Sequence, residues 1–270
     1  MFETQLAYHT NAWPSEYLVG AMHEITQIGY DGIEVAWSLA ESYADRVDVF
    51  MEMLHDEHLE LAAIDSPLWL LAPDSKEDEK ERFLAIGRFA AAVGAHVVVA
   101  MAPRKWPDIP VSDEEWQAIT DFSNEVGVEI EGMGLKFVFH PEVGTWLDTR
   151  REIERFLNET APEAVGLCID TAQFTYNRIN PANYYLSIHD RVHHIHMKDY
   201  VKNKQPYEKR LRPLGRGEVD LKALVRNLDK KDYNGWVVSE LDMPYEQNAN
   251  PSANASTAYE YCIHTLDLGL

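Results

Sequence analysis

The feature that most constrains this chain is an alternation. Short β-branched, apolar runs are each followed by a longer amphipathic stretch, and the pair recurs eight times. Parallel strands need a crossover between them, so strands alternating with helices imply a parallel sheet. Eight such units in 270 residues match the size and count of an α/β (β/α)8 barrel, a TIM barrel. A doubly wound open sheet would carry a glycine-rich phosphate loop after its first strand. Here the first strand runs into His9-Thr-Asn-Ala-Trp13.

Strands are predicted over 5–9, 32–36, 59–65, 95–101, 135–140, 165–170, 192–196 and 235–240. Helices are predicted over 14–29, 41–58, 76–93, 112–132, from 149, and over 181–190, 220–228 and 251–268, with a long loop to about residue 218. Ser112 with Glu115, and Thr149 with Glu152, have the spacing of capping boxes. No linker or low-complexity segment divides the chain, so residues 1–270 are expected to form one barrel domain.

Charge narrows the partners. Forty-five acidic against twenty-four basic residues leave a formal charge of −21, which opposes nucleic acid and anionic membranes. Two cysteines, Cys168 and Cys262, are too few for a disulfide scaffold. The first residues lack a basic and apolar leader, and no apolar run is long enough to span a bilayer. A soluble, cytoplasmic protein is expected.

In a barrel, the C-terminal strand ends carry the chemistry. Those ends hold His9, Glu34, Asp65, His140-Pro-Glu142, Asp170, His194-Ile-His196-Met-Lys198-Asp199 and Glu240-Leu-Asp242. Only the fourth strand departs, ending in Met101-Ala-Pro103. Carboxylates gathered at one rim repel one another unless something positive sits among them, and a divalent cation is the economical answer. Asp65 and Glu34 also fit helix caps or partners of nearby cations. His23, His55, His58, His96 and His264 fall away from the rim and receive no role. The charge runs 41–60 and 74–81 read as solvated helix faces. Trp13, Trp37, Trp69, Trp106 and Trp146 mostly follow strand ends and read as pocket walls.

Six segments together resemble the sugar phosphate isomerase/epimerase family of xylose isomerase-like barrels. They are Gly32-Ile-Glu34, His140-Pro-Glu-Val-Gly-Thr145, Gly166-Leu-Cys-Ile-Asp170, His194-Ile-His-Met-Lys-Asp199, Leu214-Gly-Arg-Gly-Glu218, and Ser239-Glu240 with Leu241-Asp242. The likeness spans the chain, and the second segment is nearest the inosose dehydratase branch. It implies one divalent ion, Mn²⁺ or Co²⁺ before Mg²⁺ or Zn²⁺, held by Asp170, His196 and Glu240. A fourth ligand comes from the end of strand five, where both His140 and Glu142 stand; Glu142 is preferred because a carboxylate also supplies a base. Many members carry His where this chain has Gln173, which is left with amide hydrogen bonding to substrate.

The resemblance implies Glu142 and Glu240 as an acid/base pair, with Lys198 as an added electrophile or acid. A salt bridge from Lys198 to Asp199 or Glu34 is the plain alternative. His9, Glu34, His140, Gln173, His194 and Arg216 are substrate-contact candidates, and Arg216, Arg210 or Arg212 would suit a phosphate. A metal-chelated ketose or keto-polyol would lose the proton beside its carbonyl to give an enediolate. Returning that proton gives an isomerase or epimerase; expelling a hydroxyl gives an inosose-type dehydratase. An endonuclease IV-like nuclease needs more metals and less negative charge. A non-catalytic subunit would need the rim acids occupied by protein partners. A homo-oligomer is compatible with the fold.

Overall fold

Eight strands close into a barrel in this computed structural model, which describes residues 4–69, 75–106, 109–242 and 250–269. In chain order they are β1 (Leu6–His9), β2 (Gly32–Ala36), β3 (Glu60–Pro67), β4 (Val97–Met101), β5 (Lys136–His140), β6 (Gly166–Asp170), β7 (Val192–Met197) and, after a two-stranded ribbon, β10 (Trp236–Ser239). The order around the barrel is β1-β10-β7-β6-β5-β4-β3-β2, and every pair is parallel. Closure pairs Leu6 with Val237 and Tyr8 with Ser239. The fold is the expected (β/α)8 barrel.

Period-two alternation explains its two apolar layers. Val97, Val99, Val138, Ala63 and Cys168 cluster apart from Val98, Ala100, Phe137, Phe139, Leu167 and Ile169, which join the large cluster with the helices. The small lumen residues leave room above them for the polar side chains of the rim. Gly32 marks one tight approach: a Cβ there would stand 2.6 Å from the Glu60 carbonyl oxygen and 2.8 Å from the Trp236 ring.

The helices are α1 (Leu18–Ile28), α2 (Trp37–Ala40), α3 (Val47–Asp56), α4 (Lys76–Ala92), α5 (Asp113–Gly132), α6 (Arg150–Glu159), α7 (Thr171–Tyr176), α8 (Pro181–Ile188), α9 (Leu221–Lys230) and α10 (Pro251–Leu266). Both expected capping boxes form, Ser112 with Glu115 and Thr149 with Glu152. The helix expected over 41–58 is broken. The charged stretch 41–46 has no apolar stripe to bury, and α3 starts only where Phe50 and Leu54, four residues apart, face the core. No helix among the described residues is long and apolar enough to cross a membrane.

Three further expectations change. The run 74–81 is not wholly solvated, because Glu79 is buried, paired with Arg82 at 2.7 Å and accepting from the Trp69 N–H; Asp74 lies outside the described residues. Trp13, Trp37 and Trp146 are core residues, while Trp69 and Trp106 stay exposed and line a surface cleft. The long loop before α9 contains β8 (Asp199–Tyr200) and β9 (Leu211–Arg212), paired antiparallel as a ribbon.

Candidate active site at the barrel rim

Asp170 shows how the backbone builds this site. It ends β6 and caps α7, its Oδ1 accepting from the Ala172 and Gln173 N–H groups at 2.8 and 2.9 Å. That cap fixes the carboxylate and aims Oδ2 across the rim. There Oδ2 meets His140 Nε2 at 3.2 Å and Lys198 Nζ at 3.1 Å. Burial opposes the charge on Asp170, but Lys198 and His140 outweigh it and hold the carboxyl at about 2.

Glu34, fully buried, is the hub of the opposite side. It accepts from His194 Nε2 at 2.8 Å and from His196 Nε2 at 3.0 Å, and lies 3.9 Å from His9 Nε2. Burial raises its carboxyl, yet His196 and His194 pull it well below the usual range. Burial lowers the His194 pKa despite that carboxylate. His9 bonds Asp65 at 3.1 Å; burial would lower it, but Glu240, Asp65 and Glu34 push it up to about 9.

Donation to Glu34 fixes how His196 presents its other nitrogen. Nδ1 faces Glu240 Oε2 at 3.0 Å, and neither of these buried atoms makes a hydrogen bond. Lys198 Nζ lies 2.9 Å from the same Oε2 and also contacts Asp242. Asn11 Nδ2 donates to Glu240 Oε1 at 2.8 Å and to Asp242 Oδ1 at 3.2 Å. Burial disfavours the charge on Glu240, but Lys198, His9 and His196 hold it well below the usual range. Burial and the Glu240 charge raise Asp242.

Ligand atoms of Asp170, His196 and Glu240 all lie within 4.8 Å of one another. Ligands about 2.1 Å from one ion, at right angles, stand about 3.0 Å apart. The Nδ1···Oε2 pair, which makes no hydrogen bond, has that spacing, so the donor set fits a divalent cation. Lys198, beside the same oxygens, supplies the positive charge that these carboxylates otherwise need. Of the two strand-five candidates, His140 is the one in contact with these ligands, its Nε2 standing 3.2 Å from Asp170 Oδ2 and its Nδ1 buried without a hydrogen bond. Glu142 stands off from them, its Oε1 accepting from Arg104 Nη2 at 2.7 Å.

Even so, Glu142 shares one cavity of about 200 Å³ with His9, His140, Gln173, His196, Lys198, Glu240 and Asp242. Gln173 is turned partly away, its Oε1 accepting from the Val143 N–H. Lys198 takes neither of the expected structural partners, Asp199 or Glu34. Asn11 and Asp242 line the cavity without having been singled out as site residues. Asn11 follows the end of β1 by two residues and Asp242 the end of β10 by three, a position that was itself the available signal.

Arg216 is not brought to the site. It lines a separate surface cleft with Tyr261 and His264. The Gly-Arg-Gly segment has another purpose. Asp199 directs its carboxylate into a nest of four N–H groups, from Tyr200, Gly215, Gly217 and Val219, at 2.8–3.1 Å. Gly215 takes a positive φ of 77°, and a side chain at Gly217 would collide with the Asp199 carboxylate. The motif anchors the ribbon loop over the rim.

Residues 22–261 match the family described as xylose isomerase-like TIM barrel. An inosose dehydratase of Clostridium beijerinckii is 28% identical over 265 residues, covering 89% of this chain and 87% of its own length. Among solved structures, a D-psicose 3-epimerase from Clostridium cellulolyticum, with D-tagatose, superposes with a TM-score of 0.82 at 15% identity, covering 97% of this chain and 99% of that one. The IolI protein with a zinc atom superposes at 0.79 with 21% identity, covering 98% of both chains.

Proposed function

The chain belongs to the xylose isomerase-like TIM-barrel family, and from that premise we propose that it removes a proton beside the carbonyl of a keto-polyol, using one divalent cation. The observation that carries this reading is the convergence of Asp170, His196 and Glu240, with His196 Nδ1 and Glu240 Oε2 3.0 Å apart. These three, with His140 as the strand-five partner, would hold the ion; when bound it supplies Lewis acidity at the carbonyl. The zinc atom of the IolI protein supports such an occupant, and the ion's identity is open among Zn²⁺, Mn²⁺, Co²⁺ and Mg²⁺.

Roles follow from the electrostatics. Glu240 is held so firmly in its charged form that it is a poor base and a good ligand. Glu142, outside the convergence but on the same cavity, is the base, oriented by Arg104. Burial opposes the charge on Lys198, but Asp170, Asp242 and Glu240 hold its pKa well above the usual value. It therefore stays an ammonium and stabilises a developing oxyanion rather than releasing a proton.

Dehydration and isomerisation share this first step. Inosose dehydratases that cover most of this chain favour dehydration of an inosose-like ketone. The epimerase fold neighbours keep ketose epimerisation as the second reading. The test is metal analysis of the purified protein, then incubation in D₂O with inososes and ketoses followed by NMR. Deuterium beside the carbonyl, dependent on a bound metal, supports the reading, and the product separates lyase from isomerase. A metal-replete protein that exchanges no proton in any of them overturns it.

A further inference from the structure

The rim has one apolar sector, where β4 ends in Met101-Ala-Pro103. There the rim cavity adjoins a larger cleft, and Met101 and Glu142 line both. The cavity measures about 200 Å³, below the roughly 300–1,000 Å³ of small-molecule pockets, whereas the cleft measures about 680 Å³. Trp69 and Trp106 form part of the cleft wall. They are 62% and 64% exposed, and with Ile109 at 63% they are the most exposed large apolar side chains among the described residues. Apolar surface gathered in one place, rather than scattered, marks a contact site. Both tryptophans stand on tethered backbone. The Trp69 N–H donates to buried Glu79, which is held by Arg82, and Arg82 also donates to the Pro67 carbonyl at 2.7 Å. The segment before Trp106 is tied to the loop between β5 and α6. Arg104 bridges to Thr145, the Lys105 N–H donates to the Gly144 carbonyl at 2.8 Å, and the Trp146 N–H donates to the Pro103 carbonyl at 2.9 Å.

We propose that this cleft binds a second sugar ring, so that the substrate is a keto-polyol carrying an O-linked pyranose. The keto ring occupies the rim cavity, and the pyranose stacks on Trp69 and Trp106. This rests on the reading above that the rim takes a keto-polyol. Continuity selects the occupant: a group joined to the keto ring on its Glu142 side enters the cleft directly, because Glu142 belongs to both spaces. The chemistry of the walls agrees. A pyranose has an apolar C–H face and a hydroxylated edge. Indole rings offer large, rigid apolar surface to the face. Arg104 and Lys105, also in the cleft wall, suit the edge. Arg104 donates to Glu142 and to the Val143 carbonyl, and its guanidinium has further N–H groups for a hydroxyl. Because the backbone is tethered on both sides, the platform is in place before the ligand arrives, and little ordering cost is left to binding.

The experiment compares a keto-inositol with the same keto-inositol carrying an O-linked glucopyranose. Metal-replete wild type, Trp69→Ala and Trp106→Ala are assayed by proton exchange in D₂O, read by NMR. Wild type should favour the glycoside in kcat/KM by at least about tenfold. Each variant should lose most of that preference, through KM, while its rate on the bare ring stays within about twofold. Both side chains are exposed, so Tm should hold. No preference in wild type, or equal losses on both substrates, overturns the proposal and leaves the proton-transfer chemistry standing. Should wild type exchange neither substrate, the chemistry assigned above fails, and this inference is then read from calorimetric binding of the glycoside. Affinity about tenfold weaker in both variants supports it, and equal affinity, or no binding, overturns it. A wild-type dimer that the double variant splits, measured by light scattering, gives the cleft to a second copy of the chain and also overturns it.

Discussion

Alkaline pH should loosen this barrel through His9. The imidazole is 3% exposed and is pushed to about 9, so between about 6.5 and 9 the folded chain holds a proton that the unfolded chain has released. Stability therefore falls as pH rises through that window and is full below it. The shift of about 2.5 units corresponds to about 3 kcal/mol at 1.36 kcal/mol per unit. One contact works against it: the Asn11 N–H donates to Nδ1 at 3.1 Å, and an imidazolium has no lone pair there to accept. Conceding about 1 kcal/mol for that bond leaves about 2. At about 2.1 cal/mol/K per residue, 270 residues unfold with an entropy near 0.6 kcal/mol/K, so 2 kcal/mol is about 4 °C. The assay is calorimetric Tm of metal-free wild type and His9→Gln from pH 6 to 9.5. Wild type should lose about 4 °C more than the variant across the window. Parallel curves would refute the reasoning, because they would place no extra proton on His9.

Asp170→Asn and Glu240→Gln should each weaken metal binding by at least about 100-fold in a chelator competition, since each removes a charged ligand. Glu142→Gln should keep its metal while proton exchange falls at least about 100-fold; equal loss of metal would return Glu142 to the ligand set. Gly217→Ala should cost about 1–3 kcal/mol, read as a Tm lower by about 2–5 °C, because its methyl group displaces the Asp199 carboxylate. Arg216→Ala should leave turnover within about twofold, and a large loss would show that this arginine reaches substrate.

The fold was legible because strand and helix periodicities rarely alternate eight times by accident, and because the capping boxes at Ser112 and Thr149 are local chemistry. The broken helix was not, because charges such as Glu41, Asp45 and Arg46 suit a helix surface and a solvated turn equally well. At the site, strand ends placed Asp170, His196, Glu240 and Lys198 at the rim among other polar residues, and the family resemblance supplied the expected ligand role of the first three. The choice between His140 and Glu142 depends on side-chain direction: residues two apart on one strand share a face, but Pro141 follows the last residue of β5, and Glu142 has already left the strand. Arg216 misled for a different reason. Two glycines around an arginine look like a ligand loop, and only the structure shows the Asp199 carboxylate filling that nest.

The register that closes the barrel also sets when the site comes into being. Asn11 and Glu240 are 229 positions apart in the chain yet bonded at 2.8 Å, because β10 slots between β1 and β7. During synthesis Asn11 emerges long before Glu240. Until β10 docks, the convergence lacks Glu240, and Lys198 lacks two of its three counter-charges. Catalytic competence therefore arrives in one late step, with the final strand, and a chain cut short before residue 236 is inert rather than partly active.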